Sequence, residues 1–315
     1  MDRRGFLGVG GGCAAHLALM SAGVPAPLRA RWAARARFPV AALEPWGRLE
    51  RVADGVWAMV STPLVDRTTL CNGGIVAGRD GVLMIEAFGS DAGAKWMAEQ
   101  ARALTGQAPT HVAVTHYHAD HTGGLAAAHA PGGVRLHATA VTRDLTTTRN
   151  AGAPADLLKA ATLVDPAAGA TLDLGGRRVR IAPHDGHTPS DVSVRVDDTP
   201  VVFCGDLVWN GMFPNFVDAL PSKLTRSVRA LRATDATTFV PGHGTLATVA
   251  DMDRYLALLD SVEAAARRAA ERGLTAEAAG AGYRVPAALG EWVLFNPRYF
   301  ERAIGAWITE LSAPR

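Results

Sequence analysis

Three histidines and one aspartate lie within seven residues, in the segment Thr-His-Tyr-His-Ala-Asp-His at positions 115–121. Imidazole nitrogens and carboxylate oxygens are the ligands that zinc and similar divalent metals bind in proteins. His116 and His118 are two residues apart. Because successive side chains of an extended strand point to opposite faces, both histidines project from the same side. The segment therefore predicts one half of a metal site, and the missing ligands must come from elsewhere in the chain.

Three later stretches supply ligands of the same kind. His187 lies in the loop "DGHTPSD", Asp206 in "FCGDL" and His243 in "VPGHG", each after a predicted strand. Loops beyond the C-terminal ends of strands are where open α/β sheets bind ligands. The joint pattern predicts one metal centre with seven ligands: His116, His118, Asp120, His121, His187, Asp206 and His243. Four other histidines are interpreted as ordinary polar groups: His111, His129, His137 and His184.

Strands and helices alternate in two successive halves of the chain. Ser90 caps a predicted helix that ends at Gly106, a second helix is expected from Thr122 to His129, and the chain is helical again from Thr248. Short apolar or β-branched runs between turn signals predict the strands, which lie at 56–62, 72–78, 81–88, 111–115, 134–139 and 237–244, with hairpins at 170–184 and 191–207. This order favours one two-sheet domain flanked by helices.

The charge of the chain excludes one class of partner. Its 315 residues include 32 lysines and arginines against 30 aspartates and glutamates, for a formal net charge of +2. No basic stripe interleaved with aromatic residues is visible, although that pattern is typical of nucleic-acid binding. We therefore expect a small-molecule substrate and no nucleic acid as the partner.

Residues 1–30 differ from the rest of the chain. Arg3 and Arg4 precede an apolar, glycine-rich run, which is followed by small residues around Ala26. This order is typical of an export signal, and the arginine pair resembles the twin-arginine type. We predict a periplasmic or secreted protein with no stable membrane insertion once the signal is cleaved. The alternative is a retained anchor, for which the run is marginal in length and composition.

The rest of the chain is divided into three parts. Residues 31–47 are predicted to be an N-terminal lead that crosses the surface, 48–247 the main domain, and 248–315 a helical extension packed on its core. Cys71 and Cys204 are expected to be buried and free, and a bridge between them is the alternative in an oxidising compartment.

The ligand motifs, in this order, resemble those of the metallo-β-lactamase superfamily. They are a Thr-His-x-His-x-Asp-His run, a Gly-His-Thr loop, an aspartate after glycine and a late Pro-Gly-His. The resemblance implies an α/β (α+β) fold, the four-layer αββα sandwich, here with added C-terminal helices. It also implies two zinc ions: one held by His116, His118 and His187, the other by Asp120, His121 and His243, with Asp206 as the bridge.

The resemblance further implies hydrolysis. Two metals lower the pKa of a shared water, and the resulting hydroxide would attack an ester, thioester, lactone or lactam-type substrate. Asp120 is the predicted catalytic residue, because it can orient that hydroxide or receive its proton. Asp206 stands where true β-lactamases of this superfamily carry Cys or Ser, so the site is more similar to that of glyoxalase II. Glu86 stands in "IEAF", where many relatives have Ile-Asp-Thr-Gly, and is a candidate for the supporting role of that aspartate.

An aromatic run after the bridging aspartate is the candidate substrate-binding element. The segment "GDLVWNGMFPNFVDA" resembles that of exported hydrolases associated with sulfur-oxidation and quinoprotein systems. Its apolar side chains could wall the metal site, and ordinary core packing is the alternative. The candidate substrate-binding residues are Tyr117, Trp209, Met212, Phe213 and Phe216.

Two other functions compete with zinc hydrolysis. Persulfide dioxygenases of the same superfamily carry a similar "HxHADH" run and bind a single iron, so iron is the alternative cofactor. A non-catalytic periplasmic accessory protein that binds a metal or ligand is the second rival.

The export prediction can be tested directly. Changing Arg3 and Arg4 to lysine should retain the protein in the cytoplasm, because a twin-arginine signal requires both arginines. Cell fractionation of the tagged wild type and variant measures this. A variant still found outside the cytoplasm would contradict the twin-arginine interpretation.

Overall fold

A computed structural model describes residues 36–62, 64–130, 132–150 and 155–313. The predicted export signal and the first residues of the predicted lead lie outside these ranges. Within them, every helix is too short or too polar to cross a membrane.

In the described part of the chain, eight strands form the first sheet, and each pairs with the next strand in sequence. Neighbours from β1 to β5 are antiparallel, and those from β5 to β8 are parallel. The strands are β1 Val40–Glu44, β2 Gly47–Ala53, β3 Val56–Ser61, β4 Gly73–Ala77, β5 Val82–Ile85, β6 His111–Ala113, β7 Arg135–Thr139 and β8 Thr162–Val164.

The second sheet has the order β13-β12-β11-β10-β9 among the described residues. Its pairs are antiparallel except for β12 and β13, which run parallel. The strands are β9 Ala170–Asp173, β10 Arg178–Pro183, β11 Val192–Val196, β12 Val201–Asn210 and β13 Thr238–Gly244.

Helices cover the outer faces of both sheets. Gly106 ends the first of them in the left-handed conformation, as predicted, with a backbone φ of 76°. The α-helices are α1 Asp91–Thr105, α2 Ala119–Thr122, α3 Leu125–His129, α4 Ala140–Arg149, α5 Ala155–Lys159, α6 Pro221–Arg232, α7 Val249–Glu271, α8 Ala276–Gly282 and α9 Tyr299–Ser312.

Side-chain alternation along the strands builds the layers. In β3, Val56, Ala58 and Val60 face the second sheet, whereas Trp57 and Met59 face the helices on the other side. Successive side chains of a strand point to opposite faces, so one strand serves two cores. A third cluster joins β12 to α6, α7 and α9. The predicted four-layer αββα sandwich with added C-terminal helices is confirmed.

The second half of the predicted N-terminal lead contains a β-strand. Val40–Glu44 is the edge strand of the first sheet and pairs antiparallel with β2. Just before it, the backbone N–H groups of Arg37 and Phe38 donate to Glu50 Oε2 at 2.8 and 2.9 Å. Most of this edge strand is exposed. Its two faces therefore do not require alternating apolar and polar residues, and the sequence shows no strand periodicity.

The predicted helix from Thr122 to His129 is interrupted. Its first residue, Thr122, ends α2, and its last five residues form α3, with Gly123 and Gly124 between the two helices. The Gly124 N–H donates to the Phe88 carbonyl at 2.9 Å instead of continuing the helix, because the chain passes close to the segment after β5 at this point.

Two of the histidines outside the ligand motifs form a buried pair. Arg135 donates to His111 Nε2 at 2.8 Å, so the proton of neutral His111 lies on Nδ1, which is 2.8 Å from His137 Nε2. Burial, with the charge of Arg135, lowers the pKa of His111 from 6.5 to about 4. Burial, with His111 and Arg135, does the same for the pKa of His137.

This pair predicts a pH-dependent stability. The free energy of unfolding should fall between pH 6.5 and about pH 4, because the unfolded histidines bind protons there and the folded pair does not. Each histidine contributes up to about 1.4 kcal/mol per pH unit. Denaturant unfolding should show a shallower pH dependence for His111→Leu/His137→Leu than for the wild type. The control His129→Leu should behave as the wild type, and equal slopes for the double variant would contradict the prediction.

Candidate metal centre

The two sheets are joined at the edge where β5, β6, β12 and β13 end. The Val192 N–H donates to the Thr115 carbonyl, and the Asn72 N–H to the Gly242 carbonyl, both at 2.8 Å. The Asn72 side chain adds bonds to two further carbonyls at the end of β13, which contains His243, at 2.9 and 2.8 Å. All the predicted ligands lie at this seam, which brings the four motifs of the sequence together.

The first group of candidate ligands contains three imidazoles and a carboxylate. His118 Nδ1 lies 3.0 Å from His116 Nε2 and 3.1 Å from His187 Nε2. Asp206 Oδ2 lies 3.2 Å from His187 Nε2. All four side chains are buried, and one atom of each lies within 4.8 Å of the others.

The second group contains Asp120, His121 and His243, whose ligand atoms also lie within 4.8 Å of one another. His243 Nε2 is 3.1 Å from Asp120 Oδ2, and His121 Nε2 is 3.5 Å from the same oxygen. The Asp120 side chain is 19% exposed whereas the two histidines are at most 4% exposed. Asp120 is therefore the ligand nearest to solvent in this group.

Asp206 lies between the two groups. Its Oδ2 lies 3.2 Å from His187 Nε2 and 3.4 Å from His243 Nε2, and its Oδ1 lies 3.2 Å from His121 Nε2. One carboxylate thus contacts ligands of both groups, which is the geometry of a bridging ligand.

The donors fit divalent metal ions. His121 Nε2, Asp206 Oδ1 and His243 Nε2 are buried and make no well-formed hydrogen bond within the described residues. Buried polar atoms normally have a partner, and these are the atom types that bind zinc. The seam therefore has the donor set of a metal centre.

The protonation states of the first group suit metal binding. Burial lowers the pKa of His116 well below its usual value and that of His187 to about 3. Both rings are therefore neutral at pH 7, as a metal ligand must be. In the second group, burial opposes a charge on His243, but Asp206 and Asp120 outweigh it and raise its pKa to about 9. Metal binding there releases that proton.

Glu86 supports His121 from behind. It follows β5 with a backbone φ of 79°, a left-handed conformation that costs a non-glycine residue roughly 1–3 kcal/mol. Its Oε1 accepts from Thr115 Oγ1 at 2.5 Å and lies 3.0 Å from His121 Nδ1. This contact leaves His121 Nε2 to face the ligands, so Glu86 stands where its supporting role requires.

Two glycines make room for the bridging carboxylate. Gly205 has a φ of 51°, and a Cβ there would lie 2.8 Å from the Thr115 side chain. A Cβ at Gly242 would collide with Asp206 Oδ1. The glycines beside Asp206 and His243 in the sequence motifs are therefore steric requirements of the site.

The predicted position of Asp206 past the end of a strand is wrong. Asp206 lies inside β12, which continues to Asn210. The pairing of β12 with β13 changes register between Phe203 and Gly205 and again before Trp209. The irregular pairing directs Asp206 into the site without ending the strand.

Three of the predicted substrate-binding residues are core residues. Met212, Phe213 and Phe216 are at most 3% exposed, and Phe213 packs against Phe300 of α9 with ring centroids 4.8 Å apart. The burial favours the alternative of ordinary core packing for these residues, because the C-terminal helices cover this run.

The other two candidates lie beside ligands but are also buried. The Trp209 ring centroid lies 4.2 Å from that of His243, and the Tyr117 ring lies 4.7 Å from that of His118. Trp209 is 2% exposed and Tyr117 is 3% exposed. Both side chains therefore pack against ligands and present almost no surface to a substrate.

Asp218 and Arg149 are site residues that the sequence analysis missed. Asp218 Oδ2 lies 3.0 Å from His118 Nε2, and Arg149 pairs with Asp218 Oδ1 at 2.9 Å. Asp218 is part of the run "NFVDA", so its signal was an acidic residue within a segment interpreted as apolar. Arg149 had no distinguishing signal in an arginine-rich chain.

Three further chemistry-bearing side chains of the described residues lie outside the two ligand groups. His184 contacts Ser193 Oγ at 2.8 Å and is not among the clustered ligands. Cys71 and Cys204 are buried free thiols, which confirms the prediction for both.

Solved structures of bacterial metallo-beta-lactamases share this fold. The protein from Erythrobacter litoralis, with beta mercaptoethanol in its active site, is 22% identical and aligns over 70% of this chain and 99% of its own, with a TM-score of 0.58. The protein from Pontibacter korlensis is 22% identical, over 68% and 99%, with the same TM-score. The protein from Hirschia baltica is 21% identical, over 68% and 97%, with a TM-score of 0.56.

A family profile described as "Metallo-beta-lactamase superfamily" matches residues 67–243. The match includes all seven candidate ligands and both joined sheet edges. The chain therefore belongs to the metallo-beta-lactamase superfamily.

Proposed function

We propose that this chain is an exported binuclear zinc hydrolase that acts on an ester, thioester, lactone or lactam-type bond. The observation that carries the proposal is Asp206, whose carboxylate contacts histidines of both ligand groups. A mononuclear site would need only one of these groups. Export is proposed from residues 1–30 alone.

When bound, two zinc ions would polarise a substrate oxygen and lower the pKa of a shared water toward about 7. The protein contributes the rest. Glu86 and Asp206 hold His121 between them, and Asp120 lies at the open side of the centre with its side chain 19% exposed. A carboxylate in that position is able to accept a proton from the attacking water, which is the general-base role.

The chain offers no activated thiol for covalent catalysis among the described residues. Burial raises the pKa of both Cys71 and Cys204, and a thiol must ionise to attack. This supports water as the nucleophile. The bridging aspartate, in the place of the Cys or Ser of true β-lactamases, supports a glyoxalase II-like site and favours esters and thioesters over lactams.

The bridging role of Asp206 predicts a loss of metal. Asp206→Ala should reduce bound zinc from two ions per chain to one or none, because each group loses an oxygen ligand, and should lower kcat by at least about 100-fold. Elemental analysis of the gel-filtered protein measures the zinc. The matched control Asp198→Ala removes an aspartate paired with Arg177 and should keep both ions and full activity. Full metal content and turnover in Asp206→Ala would refute the bridge.

The reaction class is tested by an activity panel on the zinc-loaded protein. We expect chelator-sensitive hydrolysis of at least one ester, thioester or lactone substrate, and loss of that hydrolysis in Asp120→Asn at unchanged protein stability. One iron per chain with thiol-dependent oxygen uptake would instead identify a dioxygenase. Full zinc occupancy without hydrolysis of any substrate in the panel would support the binding protein.

A further inference from the structure

Asp218 contacts three side chains, those of the neighbouring residues Tyr117 and His118 and that of Arg149. Its Oδ2 accepts from the Tyr117 hydroxyl and lies 3.0 Å from His118 Nε2. Its Oδ1 accepts from Arg149 at 2.9 Å. Arg149 also donates to the Tyr117 hydroxyl at 3.2 Å, and its guanidinium carbon lies 5.9 Å from the centre of the Tyr117 ring. Of these residues, only His118 is a candidate ligand.

The contact with Asp218 determines which nitrogen of His118 is free. A neutral imidazole carries one N–H, and a carboxylate beside Nε2 fixes that hydrogen there. Nδ1 is then left with a lone pair, and it is the atom that lies 3.0 and 3.1 Å from the ring nitrogens of His116 and His187. The other tautomer would point an N–H into the first ligand group and exclude a metal from it.

Stability alone does not account for this network. The Asp218 side chain is 21% exposed and that of Arg149 is 43% exposed. Ion pairs this open to solvent contribute little to folding. Arg149 and Asp218 form the more exposed end of the network. They hold its buried end, which is the ring of His118 that faces the first ligand group.

We propose that Asp218 is a positioning residue that fixes the tautomer and orientation of His118, and that Tyr117 and Arg149 position Asp218. The proposal rests on the metal centre of the proposed function. It assigns Tyr117 a role inside the ligand motif, and it confines the effect of the network to the first ligand group. The second group has its own carboxylate support in Glu86.

The test compares Asp218→Ala in two backgrounds that each lack one ligand group. In His243→Ala the remaining ion sits in the first group, and Asp218→Ala should lower its Zn²⁺ affinity about 10- to 100-fold. In His187→Ala the remaining ion sits in the second group, and Asp218→Ala should leave its affinity unchanged. Competition with a chromophoric chelator measures both affinities. The Co²⁺ absorption spectrum should change in the first background alone.

Conservative variants separate positioning from general damage. Asp218→Asn keeps an acceptor for His118 and should lose less affinity than Asp218→Ala, and Tyr117→Phe and Arg149→Gln should each lose less again. Asp198→Asn, which breaks a distant Arg–Asp pair, should change neither affinity. The thermal midpoint of each metal-free variant reports folding, and Asp218→Asn replaces Asp218→Ala if the latter is unfolded.

Unchanged affinity in the His243→Ala background would overturn the proposal, and so would an equal loss in both backgrounds. Failure of the wild type to bind Zn²⁺ would instead refute the metal centre itself, and this proposal with it.

Discussion

The carboxylate of Asp206 faces two groups of buried ionisable side chains at once. Charged and polar groups are costly to bury unless they are paired or hold a metal, and seven of them meet here. The Asp206 carboxylate contacts histidines of both groups, so its charge is paired on both sides. The position of this one side chain, inside an irregular stretch of β12, therefore determines where both sheets must place their remaining ligands.

The two sheets are joined by hydrogen bonds at the edge that carries the ligands. Asn72, just before β4 of the first sheet, binds carbonyls of β13 around His243 through backbone and side chain, and Gly242 leaves space for the bridging carboxylate. Glu86 has a strained, left-handed backbone conformation. In this position its carboxylate contacts His121 and orients the ring. The C-terminal helices complete the site from outside, because they bury the run after Asp206 and fix Trp209 against His243.

The ligands and most strands could be predicted from the sequence because both depend on local patterns. Histidines at strand ends and alternating apolar runs are visible in a few residues. The edge strand at Val40–Glu44 has too few buried positions to show alternation. Asp218 was missed because the residues that it contacts, Tyr117 and His118, lie about a hundred positions earlier in the sequence. The two interpretations of Phe213, substrate contact and core packing, could not be separated because the sequence does not show which surface the distant α9 covers.

Asp206 is proposed to bridge two metal ions. Diffraction from crystals grown with zinc, measured on both sides of the zinc absorption edge, locates the ions without ambiguity. We expect two anomalous peaks about 3.5 to 4 Å apart, one in each ligand group and both beside the Asp206 carboxylate. A single peak confined to one ligand group at full occupancy, or no peak at the seam, would contradict this bridge.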